Sequence, residues 1–561
     1  MSEFNKKIND KFWRFIESKR SYLDSYIRDN LYFVIACSYF DDDSIKKYEK
    51  VRESESINLI FSKIIEDHSS FIDEVRSEFS KEELESLLTN SKLNHYLDPR
   101  YNLLIGENLL NILISLLDVK DNDIILNPFS SDGEIMSSIL KQDKDVIIEG
   151  MEIDSYKRNI AIIKNSILSD KFQLMPFNPE NSNIVNKNTN KLIAFPPAGN
   201  RWMHKNIVDK SKDVKTYLEE NSINRFGDLV YIIKNLQELD KLERAIYIYP
   251  TGRLFNHIEK DILQFLVNNN LMEGIIQLPE GIIEGTGISF SILIISQDNE
   301  YISFVDARNE YKKERLKKTL TDINVKKILD EYKKPNQIAK QISVKDIITN
   351  DYVLLPSRLI VPADQKLSEY YLLKDISNMQ RGIGSIKKSD LEKRMTSKKT
   401  KIKYMQATDF SDTIDYTDLK TLDEIKENET RYLAKDGDIV ISKVQNFKSM
   451  IFEDTKDYKI IISGNLYKLE IKADCDVNPY YVQAYLATDH AKEQISRLVS
   501  GTSTLIIPIT TLGELKIPKL GKDAEENIAN NYKAILRRMR IVKEQIKKLE
   551  EDKNVIFDGV I

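Results

Sequence analysis

The chain is 561 residues long, 41% hydrophobic and 30% charged, with 83 lysines and arginines against 88 acidic side chains and a net charge of −5. That length exceeds one ordinary core and implies roughly three or four domains, while the balanced charge leaves any nucleic-acid contact to local basic patches. Two cysteines, Cys37 and Cys475, exclude a disulfide framework, five scattered histidines show no metal-ligand spacing, and no apolar run or signal region suits a membrane, so a cytoplasmic protein without metal is expected.

Residues 1–95 are dense in charge and place apolar residues at helical spacing, which predicts an N-terminal helical domain. Within "SINLIFSKIIEDHSSFIDEV", Ile57, Ile60, Ile64 and Ile65 are expected on one face. From 96 to 360 the texture changes to short apolar strands separated by helical stretches. "NDIILNPF", "KDVIIEGMEID", "NKLIAFPP", "RAIYIYP", "MEGIIQLPEG", "ISFSILIIS" and "YISFVDA" read as buried strands. That alternation predicts an α/β domain whose mostly parallel sheet is covered on both faces, with ligands at the carboxyl ends of its strands. Residues 361–520 read as a mixed α+β domain containing a basic loop, "SIKKSDLEKRMTSKKTKIKY", and 521–561 as a long helix with a tail.

Three stretches in the α/β region bear chemistry. The turn "LNPFSSDGE", Leu126 to Glu134, follows the first strand, where a nucleotide-type fold lines a tight turn with backbone N–H groups. Glu152 closes the next strand and is placed to accept hydrogen bonds from ribose hydroxyls, as an adenosine-type cofactor needs. "KLIAFPPAGN", Lys191 to Asn200, ends a strand in a double proline, which on its own is ordinary punctuation. A second proline motif, Asn478-Pro479-Tyr480-Tyr481, is expected to start a helix, with Asn478 as N-cap.

Two segments place these stretches in a family. "FGDLVYIIKNLQELDKLERAIYIYPTGRLF" followed by "LMEGIIQLPEGIIEGTGISFSILIIS" resembles the modification subunits of type I restriction–modification systems, which are adenine-N6 DNA methyltransferases using S-adenosylmethionine. The resemblance covers roughly residues 100–360 and implies a Rossmann-like methyltransferase core. It aligns Phe195-Pro196-Pro197-Ala198 with the family's catalytic Asn-Pro-Pro-Phe/Tyr, whose asparagine accepts from the flipped adenine and whose aromatic stacks on it. Phenylalanine has no acceptor, a loss of about 3–4 kcal/mol or 100- to 1000-fold in rate. Losing the stacking ring removes about 1–3 kcal/mol more. The family's Asp-Pro-x-Cys-Gly-Ser-Gly becomes Asn127-Pro128-Phe129-Ser130-Ser131-Asp132-Gly133, which sets a Cβ at Ser131 and a charge at Asp132 beside a carboxylate-bearing ligand. Asn178 stands where the family usually carries aspartate against the adenine ring. The implied cofactor residues are therefore Asn127, Pro128, Gly133, Glu152 and Asn178, with binding of S-adenosylmethionine expected to be weak or lost.

Residues from about 368 to 552 resemble a half-length specificity subunit of the same systems: one target-recognition domain and one spacer helix. In that setting Lys387, Lys388, Lys398, Lys399, Lys401 and Lys403 are expected to meet phosphates of double-stranded DNA, with Lys393 and Arg394 in the same basic run. Arg381, in "QRGIG", is a candidate base reader. In the closing helix Ile528, Tyr532, Ile535, Met539, Val542, Ile546 and Leu549 repeat at four and three residues, an a/d seam expected to pair with a second copy of the chain. Two function classes compete: a DNA-binding protein of a restriction or phage-defence system with an inactive methyltransferase core, and a working adenine-N6 methyltransferase with an unusual catalytic loop. Other subunits of such a system are further expected partners.

Overall fold

The computed structural model describes the chain except residues 1–2, 21–22, 41–44, 90–102, 104, 179–182, 184–185, 198, 200, 315–316, 361–366, 385–392, 397–399, 412–413, 444–446, 499–506 and 555–561. It divides into two compact units, 1–360 and 361–561.

The first unit opens with helices α1 (Glu3–Lys19), α2 (Leu31–Tyr39), α3 (Glu55–Glu78) and α4 (Lys81–Leu88). Serine caps begin the last two: Ser54 accepts from Ile57 N, and Ser80 with Glu83 forms a capping box. Helix α3 buries Ile57, Phe61 and Ile64, whereas Ile65 is exposed. Ile65 lies eight residues after Ile57, about 80° around the helix from it, and so falls off the expected face. This cluster shares its core with Ile160 and Ile163 of a later helix, α7.

A nine-stranded sheet follows, built from β1 (Ile124–Pro128), β2 (Ile147–Met151), β3 (Phe172–Met175), β4 (Lys191–Ala194), β5 (Arg244–Pro250), β6 (Met272–Gln277), β7 (Phe290–Ser296), β8 (Tyr301–Asp306) and β9 (Ala339–Ser343). Its order is β9-β8-β6-β7-β5-β4-β1-β2-β3. Strands β1 to β5 pair in parallel, and β7 runs antiparallel to both its neighbours. Consecutive residues alternate between two cores: Ile125 and Ile193 pack on one face, Leu126 and Leu192 on the other. Burial on both faces explains why these strands read as unbroken apolar runs. Helices α5 (Glu107–Leu117), α6 (Glu134–Leu140), α7 (Ser155–Leu168) and α8 (Val230–Glu238) belong to these layers. Connections leave β1 toward β2 on one side while β4 lies on the other, so the carboxyl ends of β1 and β4 frame a crevice.

The second unit holds two four-stranded sheets. One orders 377–381, 466–471, 439–442 and 449–451, and the other orders 420–421, 402–405, 459–462 and 433–434. Helix α9 (Pro479–Leu486) starts as the sequence predicts, with the Asn478 side chain accepting from Tyr480 N at 3.0 Å. Helix α10 (Lys522–Asn554) spans 33 residues and buries Ala529 and Leu536 in its own unit's core.

Candidate functional site

The turn between β1 and α6 is built from left-handed residues: Phe129 at φ 61°, Ser131 at 49° and Gly133 at 76°. Only glycine suits position 133, because a Cβ there would meet the Asn165 amide and stand 2.9 Å from Ala161 Cβ on α7. Phe129 and Ser131 each oppose a handedness cost of about 1–2 kcal/mol. The surroundings hold them: the Phe129 ring packs on Tyr231 of α8 at 4.9 Å, and Ser130 donates through N and Oγ to Met151 O at 3.1 and 3.0 Å.

Glu152 completes the turn. Its carboxylate accepts from Ser131 N at 3.0 Å and Asp154 N at 2.8 Å, and burial raises its pKa above the usual carboxylate value. Each oxygen keeps acceptor capacity for a ribose hydroxyl. Asn127 is fully buried and donates to Ile193 O at 2.8 Å, tying β1 to β4, while its Oδ1 has no partner among the described residues. Pro128 ends β1, and half-buried Asn178 follows β3 at the same edge of the sheet. Gly133 and Glu152 thus fit an adenosine-type cofactor. The Ser131 N–H is already taken by Glu152.

Asp132 departs from its expected role. It forms an ion pair with Lys164 of α7 at 2.8 Å, with both side chains buried, and its charge reaches Tyr32 of α2. The charge therefore points into the protein and is neutralised there, so it does not stand beside a ligand.

At the end of β4 the half-buried Phe195 packs against the core and meets Phe290 of β7 edge-to-face at 5.5 Å. Pro196 is buried and Pro197 exposed; Ala198 lies outside the described residues. Gly199 N donates to Asp228 at 2.9 Å, and Arg253 Nε approaches the same carboxylate oxygen at 2.6 Å. Glu259 accepts from the backbone N–H groups of Gly227, Asp228 and Leu229. Burial first, and Asp228 second, raise its pKa. This buried network fixes the loop after β4 and was not singled out in the sequence. Its signal was Gly227, where any side chain would collide with the Glu259 carboxylate.

In the second unit, Arg381 is exposed and donates from Nε to Gly464 O at 3.1 Å. Lys401 pairs with Asp457 at 3.0 Å on the surface. Lys403 is a correction: it is buried, and its amine donates to Thr421 Oγ1 at 3.0 Å, so it is not available to a phosphate. Arg394 is likewise committed, gripping Glu429 with two bonds at 2.8 and 2.7 Å. Lys387, Lys388, Lys398 and Lys399 lie outside the described residues.

The helical seam divides. Tyr532 packs toward its own unit's core beside Ala529 and Leu536, so it leaves the outer stripe. Arg540 binds Glu453 and Asp454, each at 2.8 Å, and Lys547 binds Asp415 at 3.2 Å. Ile528 is 37% exposed, and Ile535, Met539, Val542, Ile546 and Leu549 are 40–67% exposed.

Among the described residues, no helix is long and apolar enough to cross a membrane, and no group of three or more His, Cys, Asp or Glu could hold a metal ion. Residues 106–367 match the family model for N-6 DNA Methylase. The chain is 23% identical over 282 residues to the type I restriction enzyme MpnII methylase subunit of Mycoplasma pneumoniae, covering 46% of this chain and 51% of that protein. It is 21% identical over 239 residues to the HindI methylase subunit of Haemophilus influenzae, covering 40% and 54%. The chain thus spans about half the length of the curated relatives it matches. Similar solved structures include the type I methyltransferase subunit from Streptococcus thermophilus, with TM-score 0.47, 16% identity, and 63% of this chain against 98% of that one. The type IIG restriction endonuclease BpuSI has TM-score 0.49, 11% identity, and 94% of this chain against 75% of that one.

Proposed function

We propose that this type I methyltransferase-like protein recognises DNA through its C-terminal unit, within a restriction–modification or phage-defence system of the cytoplasm, and that its methyltransferase-like core does not transfer methyl groups. One observation carries the second half of this proposal. The residue aligned with the family's acceptor asparagine is Phe195, whose half-buried ring packs edge-to-face on Phe290. No polar atom at that position can polarise an adenine amino group.

The competing function, adenine-N6 methylation, draws support from Gly133 and Glu152, which keep the shape of a cofactor turn. Tritium transfer from labelled S-adenosylmethionine to mixed duplex DNA separates the two, with an active relative as control. Incorporation comparable to the relative's would establish the enzyme and overturn the inactive core.

The assembly is a homodimer through α10. Its inner face is occupied by its own unit, and the exposed residues Ile535, Met539, Val542, Ile546 and Leu549 form a narrow heptad stripe suited to one helix. The stripe is self-complementary in an antiparallel pair, so a second copy is the partner, placing two recognition units about a two-fold axis on a split, roughly palindromic site.

A further inference from the structure

The two sheets of the C-terminal unit are joined by residues 463–465, and here two stretches of backbone cross in direct contact. Gly382 N donates to Leu466 O and Ile383 N to Ile462 O, both at 2.9 Å. A Cβ on Gly382 would strike Ser463 O, and one on Gly464 would stand 2.8 Å from Gly384 Cα. Glycine is required at 382 and 464 because the chains touch. Gly384 differs: a Cβ there would make only ordinary contact with the Arg381 guanidinium, at 3.9 Å.

Two cations converge on this crossing. Arg381 ends its strand opposite Tyr467, and Lys443 lies two residues past Ile441, which pairs with Tyr467 from the other side. Lys443 N donates to Asn465 O at 3.1 Å, which holds its backbone against the same connection. Arg381 spends only Nε, on Gly464 O, so neither Nη group has an acceptor among the described residues. Lys443 is 92% buried by area, at 8% exposure, yet no carboxylate among the described residues pairs with it. Its pKa is lowered, by burial first and by the positive charge of Arg381 second. Buried charges are ordinarily paired. Two like charges at one crossing, with no counter-ion among the described residues, suit an anionic ligand.

We propose that Arg381 and Lys443 together bind one backbone phosphate of duplex DNA at the crossing of residues 382–384 with 462–464. The guanidinium presents its two Nη groups as a fork to two phosphate oxygens, and the ammonium neutralises the remaining charge. The inference rests on the assignment of DNA recognition to this unit and gives Arg381 a different task from base reading. Phosphate contacts position a protein without carrying sequence information, so the contribution of this pair is uniform over sequences.

The test uses the full chain and two duplexes of unrelated sequence, with affinity measured from about 50 to about 200 mM salt. Arg381→Gln and Lys443→Met are each expected to weaken binding to both duplexes alike and to lower the salt slope by about 1, and the double variant by about 2. A thermal melt checks the fold. If Lys443→Met unfolds, Arg381→Gln at its exposed position decides alone. An unchanged slope in a chain that still binds DNA overturns the phosphate site while leaving DNA recognition standing. A loss confined to one duplex overturns it in favour of base reading. Failure of the unmodified chain to bind either duplex overturns DNA recognition itself, and the site with it.

Discussion

Replacing Lys164 by methionine should strand a carboxylate inside the first unit. The Lys164 side chain is 1% exposed and that of Asp132 8%, and the two meet at 2.8 Å. Breaking a buried pair from one side costs about 3–5 kcal/mol, because the remaining charge is left desolvated. Against a total stability on the order of 5–15 kcal/mol this is a large fraction, and it should lower Tm by several degrees. Replacing both members, Asp132→Leu with Lys164→Met, removes the stranded charge and should return stability to within about 1–2 kcal/mol of the original. Thermal and urea unfolding of the two singles and the double give the coupling directly. A cost below about 1 kcal/mol for Lys164→Met would mean that Asp132 is solvated. Its charge would then be free to act on the crevice, and the assignment of Asp132 to an internal pair would be wrong.

Gly133→Ala combines a handedness cost of about 1–2 kcal/mol with overpacking of about 1–3 kcal/mol against Asn165 and Ala161, so urea unfolding should show a loss of about 2–5 kcal/mol. S-adenosylmethionine should bind weakly or not at all in calorimetry, since Ser131 carries a Cβ and its N–H is taken by Glu152; micromolar or tighter binding would contradict this. Charge reversal at Lys398, Lys399 and Lys401 should weaken duplex binding and flatten its salt dependence, and an unchanged salt slope would make the basic run a solvated loop. Glutamate at Ile535, Met539 and Val542, all exposed, should leave the fold intact and give a monomer in sedimentation with much weaker DNA binding. An unmodified chain that sediments as a monomer at micromolar concentration would refute the dimer.

What could be read along the chain is what depends on neighbours in sequence. Strands β1, β2, β4, β5, β6, β7 and β8 are apolar on both faces and announce themselves. Strand β3, "FQLM", exposes Gln173 at the sheet's edge, and β9, "AKQIS", alternates with polar residues, so neither carries that pattern. Glu152 was legible because it immediately follows a strand, and Asn478 because a proline follows it. Lys164 stands 32 residues from the aspartate it neutralises, and Lys403 meets Thr421 across a strand pair. A lysine's charge is written in sequence, but its burial is decided by the strand it lands on. The network of Asp228, Arg253 and Glu259 escaped for the same reason, being assembled from two separate connections, one before α8 and one after β5.

The loop after β4 also bears on reversibility. Its backbone is held by Gly199 and Asp228, independently of where the side chain at 195 points. Placing asparagine at 195 would therefore leave the loop in place and set an amide against Phe290, where an unmade hydrogen bond costs about 1–3 kcal/mol. The edge-to-face contact, worth about 0.5–1.5 kcal/mol, would be lost as well. The substitution thus begins with a penalty of about 1.5–4.5 kcal/mol. Under the proposed inactive core, methyl transfer would require at least two coordinated changes, the first of them unfavourable alone.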